Sequence, residues 1–136
     1  MLPNNNNRDD LAKYRLEMSD EHIRSAKALL DIGNFKDSIG RSYFAMFSAV
    51  RALLALDAVD FSKHSGVISY FQKEYVKTGK IDVKYSKTLS QAFQIRNNAD
   101  YQDFFIVSKN DAEVQYARAE EFAKVINQVI QNRIGS

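Results

Sequence analysis

Tyr43-Phe44-Ala45-Met46-Phe47 decides the reading of this chain. Four large apolar side chains in five residues leave no polar face, so the run must be buried nearly all round. It sits inside a predicted helix over 36–57. There Ile39, Tyr43, Met46, Phe47, Val50, Leu53 and Leu54 recur at helical spacing and form a broad apolar face. Gly40, Ser42, Ala45, Ser48, Ala49 and Ala52 are small enough to let a neighbouring helix approach closely. The apolar stretch from Val50 to Leu56 is broken by Arg51 and is too short to span a bilayer, so the expected role of this helix is a core, with no membrane partner.

The flanking sequence supplies the other layers. A helix over 9–32 is predicted from Leu11, Tyr14, Met18, His22, Ala26 and Leu29, with Gly33-Asn34 as its stop. A shorter helix over 63–77 carries Val67, Ile68, Phe71 and Tyr75, with Ser62 as its N-cap and Gly79 as its end. A fourth over 83–98 carries Tyr85, Leu89, Ala92, Phe93 and Arg96 on one side. The fifth opens on Ser108, with Asp111 completing a capping box, and continues through Ala112, Tyr116, Ala119, Phe122, Ile126 and Ile130. Phe104-Phe105-Ile106-Val107 is an apolar tetrad in a predicted loop; it either plugs the bundle end or belongs to an oligomer interface. Residues 1–8 read as a disordered polar tail, and 9–133 as one domain. The expectation is all-α: an up-and-down four-helix bundle with one additional short helix.

The 136 residues hold one proline and five glycines, which suits long helices. There is no cysteine, so disulfides and thiolate chemistry are excluded; two histidines make a histidine-rich metal centre an unpromising reading. No cofactor or metal is expected. The N-terminal Met1-Leu2-Pro3 followed by Asn4 to Asn7 lacks an apolar leader, so a cytoplasmic location is expected. Charge is nearly balanced, but 62–107 hold seven basic against four acidic residues. That lysine-rich block is either a solvated face or a phosphate-steering surface.

No phosphate-cradling glycine loop, nucleophile elbow or Glu-x-x-His pair is present. Two places remain. Arg96 shares a helix side with Phe93 and Leu89, so its charge points inward and needs a partner; Asp100 is four residues on. The group is either one ion pair closing a helix end or an anion site walled by Asn97, Asp100 and Tyr101. His64 stands at a helix start beside Ser65 and Gly66, where unpaired backbone N–H groups favour anions and an imidazole titrates near neutrality. His22, mid-stripe, reads as a core or boundary residue.

Tyr43-Phe44-Ala45-Met46-Phe47, Lys63-His64-Ser65-Gly66-Val67, the run from Phe71 to Gly79, and Arg96-Asn97-Asn98-Ala99-Asp100-Tyr101 together resemble the small stand-alone HEPN proteins over nearly the whole chain. The resemblance implies a four- or five-helix bundle, a homodimer, and pairing with a small nucleotidyltransferase antitoxin. Active members are metal-independent endoribonucleases whose motif is an arginine followed, five to seven positions later, by a histidine. Arg96 and Asn97 match its first half; no histidine follows Arg96 in this chain. The resemblance thus implies a toxin-like protein acting on RNA, with Arg96 on the scissile phosphate and His64 or Asp100 shuttling protons. Asn97, Tyr101 and Ser65 would bind the RNA or nucleotide. The alternative it leaves is a non-catalytic HEPN module that binds a nucleotide or a partner and works with a nucleotidyltransferase.

Overall fold

A computed structural model describes residues 5–135. The protein is an all-α bundle: α1 (Asn5–Asp31), α2 (Phe35–Leu56), α3 (His64–Phe71) running into one π-helical turn (Gln72–Val76), α4 (Val83–Tyr101) and α5 (Lys109–Ile134). The central helix is α2, which packs on α1, α5, α4 and α3. Tyr43, Met46, Leu53 and Leu54 are wholly buried there, as the apolar run requires. This helix is also long and apolar enough to cross a membrane, yet its most apolar window is 72% buried inside the bundle, as a core helix is.

The small residues of α2 do bring α1 close. Ser19 Oγ donates to the Ala45 carbonyl at 2.7 Å, and in return Ser38 Oγ on α2 donates to the Ala26 carbonyl of α1 at 2.7 Å. Both serines are buried, so each bond satisfies a hydroxyl that would otherwise lose its water partner, a contribution of about 1 kcal/mol each. Gly33, at φ 83°, ends α1 in the left-handed region, and Asn34 N–H reaches back to Leu29 O at 2.8 Å. At the head of α5 the Ser108–Asp111 capping box is closed in both directions, at 3.0 and 3.1 Å.

Four expectations are corrected. The helix expected from residue 9 is already formed at Asn5, so residues 5–8 are helical rather than a disordered tail; residues 1–4 of that expected tail lie outside the described residues. The core stripe of α1 is Ala12, Leu16, Ser19, Ile23, Ala26 and Leu30, rotated from the expected one; Leu11 and Tyr14 face outward, Tyr14 at 59% exposure. Two apolar stripes lie side by side on this helix, and periodicity alone does not say which one α2 covers. The helix expected over 63–77 changes to a π turn after Phe71. Finally, α4 runs on to Tyr101, which places Arg96 and Asp100 on consecutive turns of one helix.

The tetrad before α5 splits by alternation. Val107 packs on Leu30, Ile39 and Ala112, and Phe105 is half-buried, whereas Phe104 (99% exposed, φ 60°) and Ile106 (84%) point out.

Candidate functional site

Arg96 lies on the side of α4 that meets α2. Its guanidinium carbon stands 4.9 Å from the Phe44 ring centre and 5.9 Å from that of Tyr43, so the cation rests on two aromatic faces. Arg96 Nε meets Asp100 Oδ2 at 2.9 Å. The ion pair read from the four-residue spacing is therefore formed, and it does not close the helix end off. Arg96 and Asp100 line an open groove of about 690 Å³ between α1, α2 and α4, together with His22, Leu29, Lys36, Asp37, Gly40, Arg41 and Phe44. Gly40 keeps the floor low, because a Cβ there would project into open space. Three cations, Lys36, Arg41 and Arg96, face two carboxylates across it, which leaves the groove net positive with its imidazole neutral.

That imidazole belongs to His22. Arg41 Nη1 lies 3.3 Å from His22 Nδ1; a guanidinium only donates, so Nδ1 accepts and the neutral ring carries its proton on Nε2. Burial, then the charge of Arg41, lowers the His22 pKa and keeps the ring uncharged at neutral pH. Its ring is 5.9 Å from Phe44, the same ring on which Arg96 rests.

His64, at the first turn of α3, is walled by aromatic rings. It stacks on Phe47 at 4.2 Å, with Tyr43, Phe44 and Phe93 at 5.8, 6.0 and 6.1 Å. Its Nδ1 is 2.8 Å from the Tyr43 hydroxyl. Burial pushes the Tyr43 phenol far above its ordinary pKa, against the pull of Arg96, so it stays protonated. Donation from this buried hydroxyl to Nδ1 satisfies both groups and leaves the His64 proton on Nε2. Burial, followed by the charges of Arg96 and Arg51, lowers the His64 pKa. His64 and Arg96 thus share the Tyr43–Phe44 platform although 32 positions separate them.

The structure brings Arg96, Asp100 and His64 around one aromatic floor, but of the expected site residues only Arg96 and Asp100 line the groove; His64 meets it through the shared rings, and Asn97, Tyr101 and Ser65 lie outside it. Tyr101 is 77% exposed, and neither it nor the exposed Ser65 lines the groove. Asn97 is half-buried beside Arg96. Sequence reasoning alone does not find His22, Lys36 and Arg41 as groove residues. The available signal is on the outer face of α2, where 37, 40, 41 and 44 follow helical spacing around a glycine.

The HEPN domain family model matches residues 12–129. A "UPF0332 protein" of Thermotoga maritima is 31% identical over 93% of this chain and 96% of its own length. One from Archaeoglobus fulgidus is 31% identical over 91% of this chain and 99% of its own. A protein of Methanocaldococcus jannaschii named "Putative toxin MJ0142" is 31% identical over 72% of this chain and 67% of its own length.

Proposed function

The chain belongs to the HEPN family, and from that membership we propose that it is a toxin-like HEPN protein, cytoplasmic and dimeric, whose Arg96 groove takes the phosphates of RNA. The observation that carries this reading is the partly exposed Arg96 guanidinium, placed on Phe44 at the wall of a net-positive groove and not sealed within its own helix. Toxin character is supported by the relative that bears that name. Dimerisation is supported by the outer stripe of α1. Leu11, Tyr14 and Met18 lead along that helix to His22 and Leu29, which line the groove, so a second copy seated there would roof it.

Cleavage needs a charge on the phosphate oxygens, an acceptor for the 2′-hydroxyl proton and a donor for the departing 5′-oxygen. Arg96 supplies the first, the Asp100 carboxylate the second and Nε2–H of the protonated His64 ring, made a stronger acid by burial, the third. Bond by bond, the 2′-oxygen joins phosphorus as the bond from phosphorus to the 5′-oxygen breaks, and no metal is required. The test is cleavage of RNA by the purified protein. Arg96→Ala should lose about 10²–10³ in rate, as when one preorganised charge donor is removed, and His64→Ala should also be impaired. Cleavage unaffected by both changes would remove these residues from the chemistry.

A second reading comes from the exposure of Tyr101. In it the groove only binds, and a small nucleotidyltransferase antitoxin modifies that phenol. RNA binding that needs Arg96, without cleavage, and a mass increase at Tyr101 on co-expression with the transferase would select it.

A further inference from the structure

A second cleft, of about 870 Å³, opens where the ends of α2 and α5 meet the π turn. Along α2, the 13 residues from Phe44 to Asp57 place it about 20 Å from the Arg96 groove. The Asp57 carboxylate is its hub. Tyr75 and Tyr70 hydroxyls donate to Oδ2 at 2.5 and 3.1 Å, and Arg133 Nη1 meets Oδ1 at 2.9 Å while donating to the Tyr75 oxygen at 2.6 Å. The π turn carries Tyr75 into this hub. An extra residue in a helical turn rotates later side chains by about 100°, and Tyr75, inside this turn, reaches Asp57 with its hydroxyl. Single π turns are rare within helices and frequent at functional sites.

Within the hub the Asp57 carboxylate is matched by two hydroxyls and a guanidinium, and cationic side chains still line the cleft. Among the described residues Arg133 bonds Asp57 and Tyr75 from Nη1, and its side chain is 39% exposed. Lys80 Nζ stands 5.4 Å over the Tyr75 ring, at the mouth. Lys73 and Lys77 are exposed on the π turn and just after it, outside the cleft lining, which itself holds Arg8, Lys80 and Arg133 against Asp57 and Glu74. These lysines belong to the basic block at 62–107. Leu56 and Val129 give the cleft an apolar seat. A concave site of this size, with an apolar floor and few convergent cations, has the form of a small-molecule site.

We propose that this cleft binds a phosphate monoester of nucleotide size, its dianion between Lys80 and Arg133 and its flat body on the apolar seat. The site is independent of the RNA reading of the Arg96 groove. Calorimetric titration of the full chain with adenosine 5′-monophosphate tests it, with adenosine and a single-stranded RNA 12-mer as parallel probes. Saturable binding of the monophosphate is expected, weakened about tenfold in the exposed Lys80→Gln variant by loss of one charge-assisted contact, and unchanged in Arg96→Gln. Adenosine should not compete. No binding at millimolar monophosphate, equal binding by Lys80→Gln and the parent, or dependence on Arg96 would each overturn the proposal. So would Lys80 dependence confined to the RNA 12-mer.

Discussion

Tyr43→Ala is expected to cost the fold about 3–5 kcal/mol, the range for truncating a buried aromatic, and to dismantle the candidate site at the same time. Tyr43 is wholly buried, and Phe44, Phe47, His64, Phe93 and Arg96 all rest against its ring. Tyr43→Phe separates the two effects. It keeps the ring and removes the hydroxyl, so stability should fall by about 1 kcal/mol or less. The hydroxyl donates to His64 Nδ1 and so favours the neutral imidazole; its loss should raise the His64 pKa, with the protonated ring persisting to higher pH. Chemical denaturation and an NMR titration of the imidazole check the pair of outcomes. A His64 pKa that falls in Tyr43→Phe would reverse the assigned donor.

Asp57→Ala is expected to cost about 2–3 kcal/mol, somewhat under the range for orphaning one member of a buried ion pair because Arg133 is partly solvated. The change strands the Arg133 guanidinium and leaves the Tyr70 and Tyr75 hydroxyls without their acceptor. Asp57 joins α2 to α3, the π turn and α5, so the loss should loosen that end of the bundle in particular. Hydrogen exchange would show it as faster opening of 70–81 and the last turn of α5, with α1 and the start of α2 protected as before. Uniform loss of protection would contradict this local role.

The two regions are unequally legible in the sequence. Helical periodicity locates five helices because apolar side chains at three- and four-residue steps admit few other arrangements. Local chemistry locates the ends: Gly33-Asn34 and the Ser108–Asp111 box act over a few residues, and both are formed. The α1 stripe is ambiguous because Leu11 and Tyr14 satisfy the same period as Ala12, Leu16 and Ser19. Only the partner helix selects between the two, through bonds such as Ser19 to Ala45. The Arg96–Asp100 pair is readable from spacing within one turn. The company of His22, Lys36 and Arg41 is not, since it depends on how α1 crosses α2. Least legible is the Asp57 hub. Its members are up to 76 positions apart, and the π turn that aims Tyr75 has no signature in hydrophobic period.

In the proposed function one guanidinium in the groove, that of Arg96, meets an RNA phosphate. Fluorescence anisotropy of a short single-stranded RNA, measured over a range of salt concentrations for the parent protein and for Arg96→Gln, tests it most directly. The variant is expected to bind at least about tenfold more weakly at low salt, with the slope of log affinity against log salt reduced by about one phosphate contact. Equal affinity and equal slope in a folded Arg96→Gln protein would contradict it.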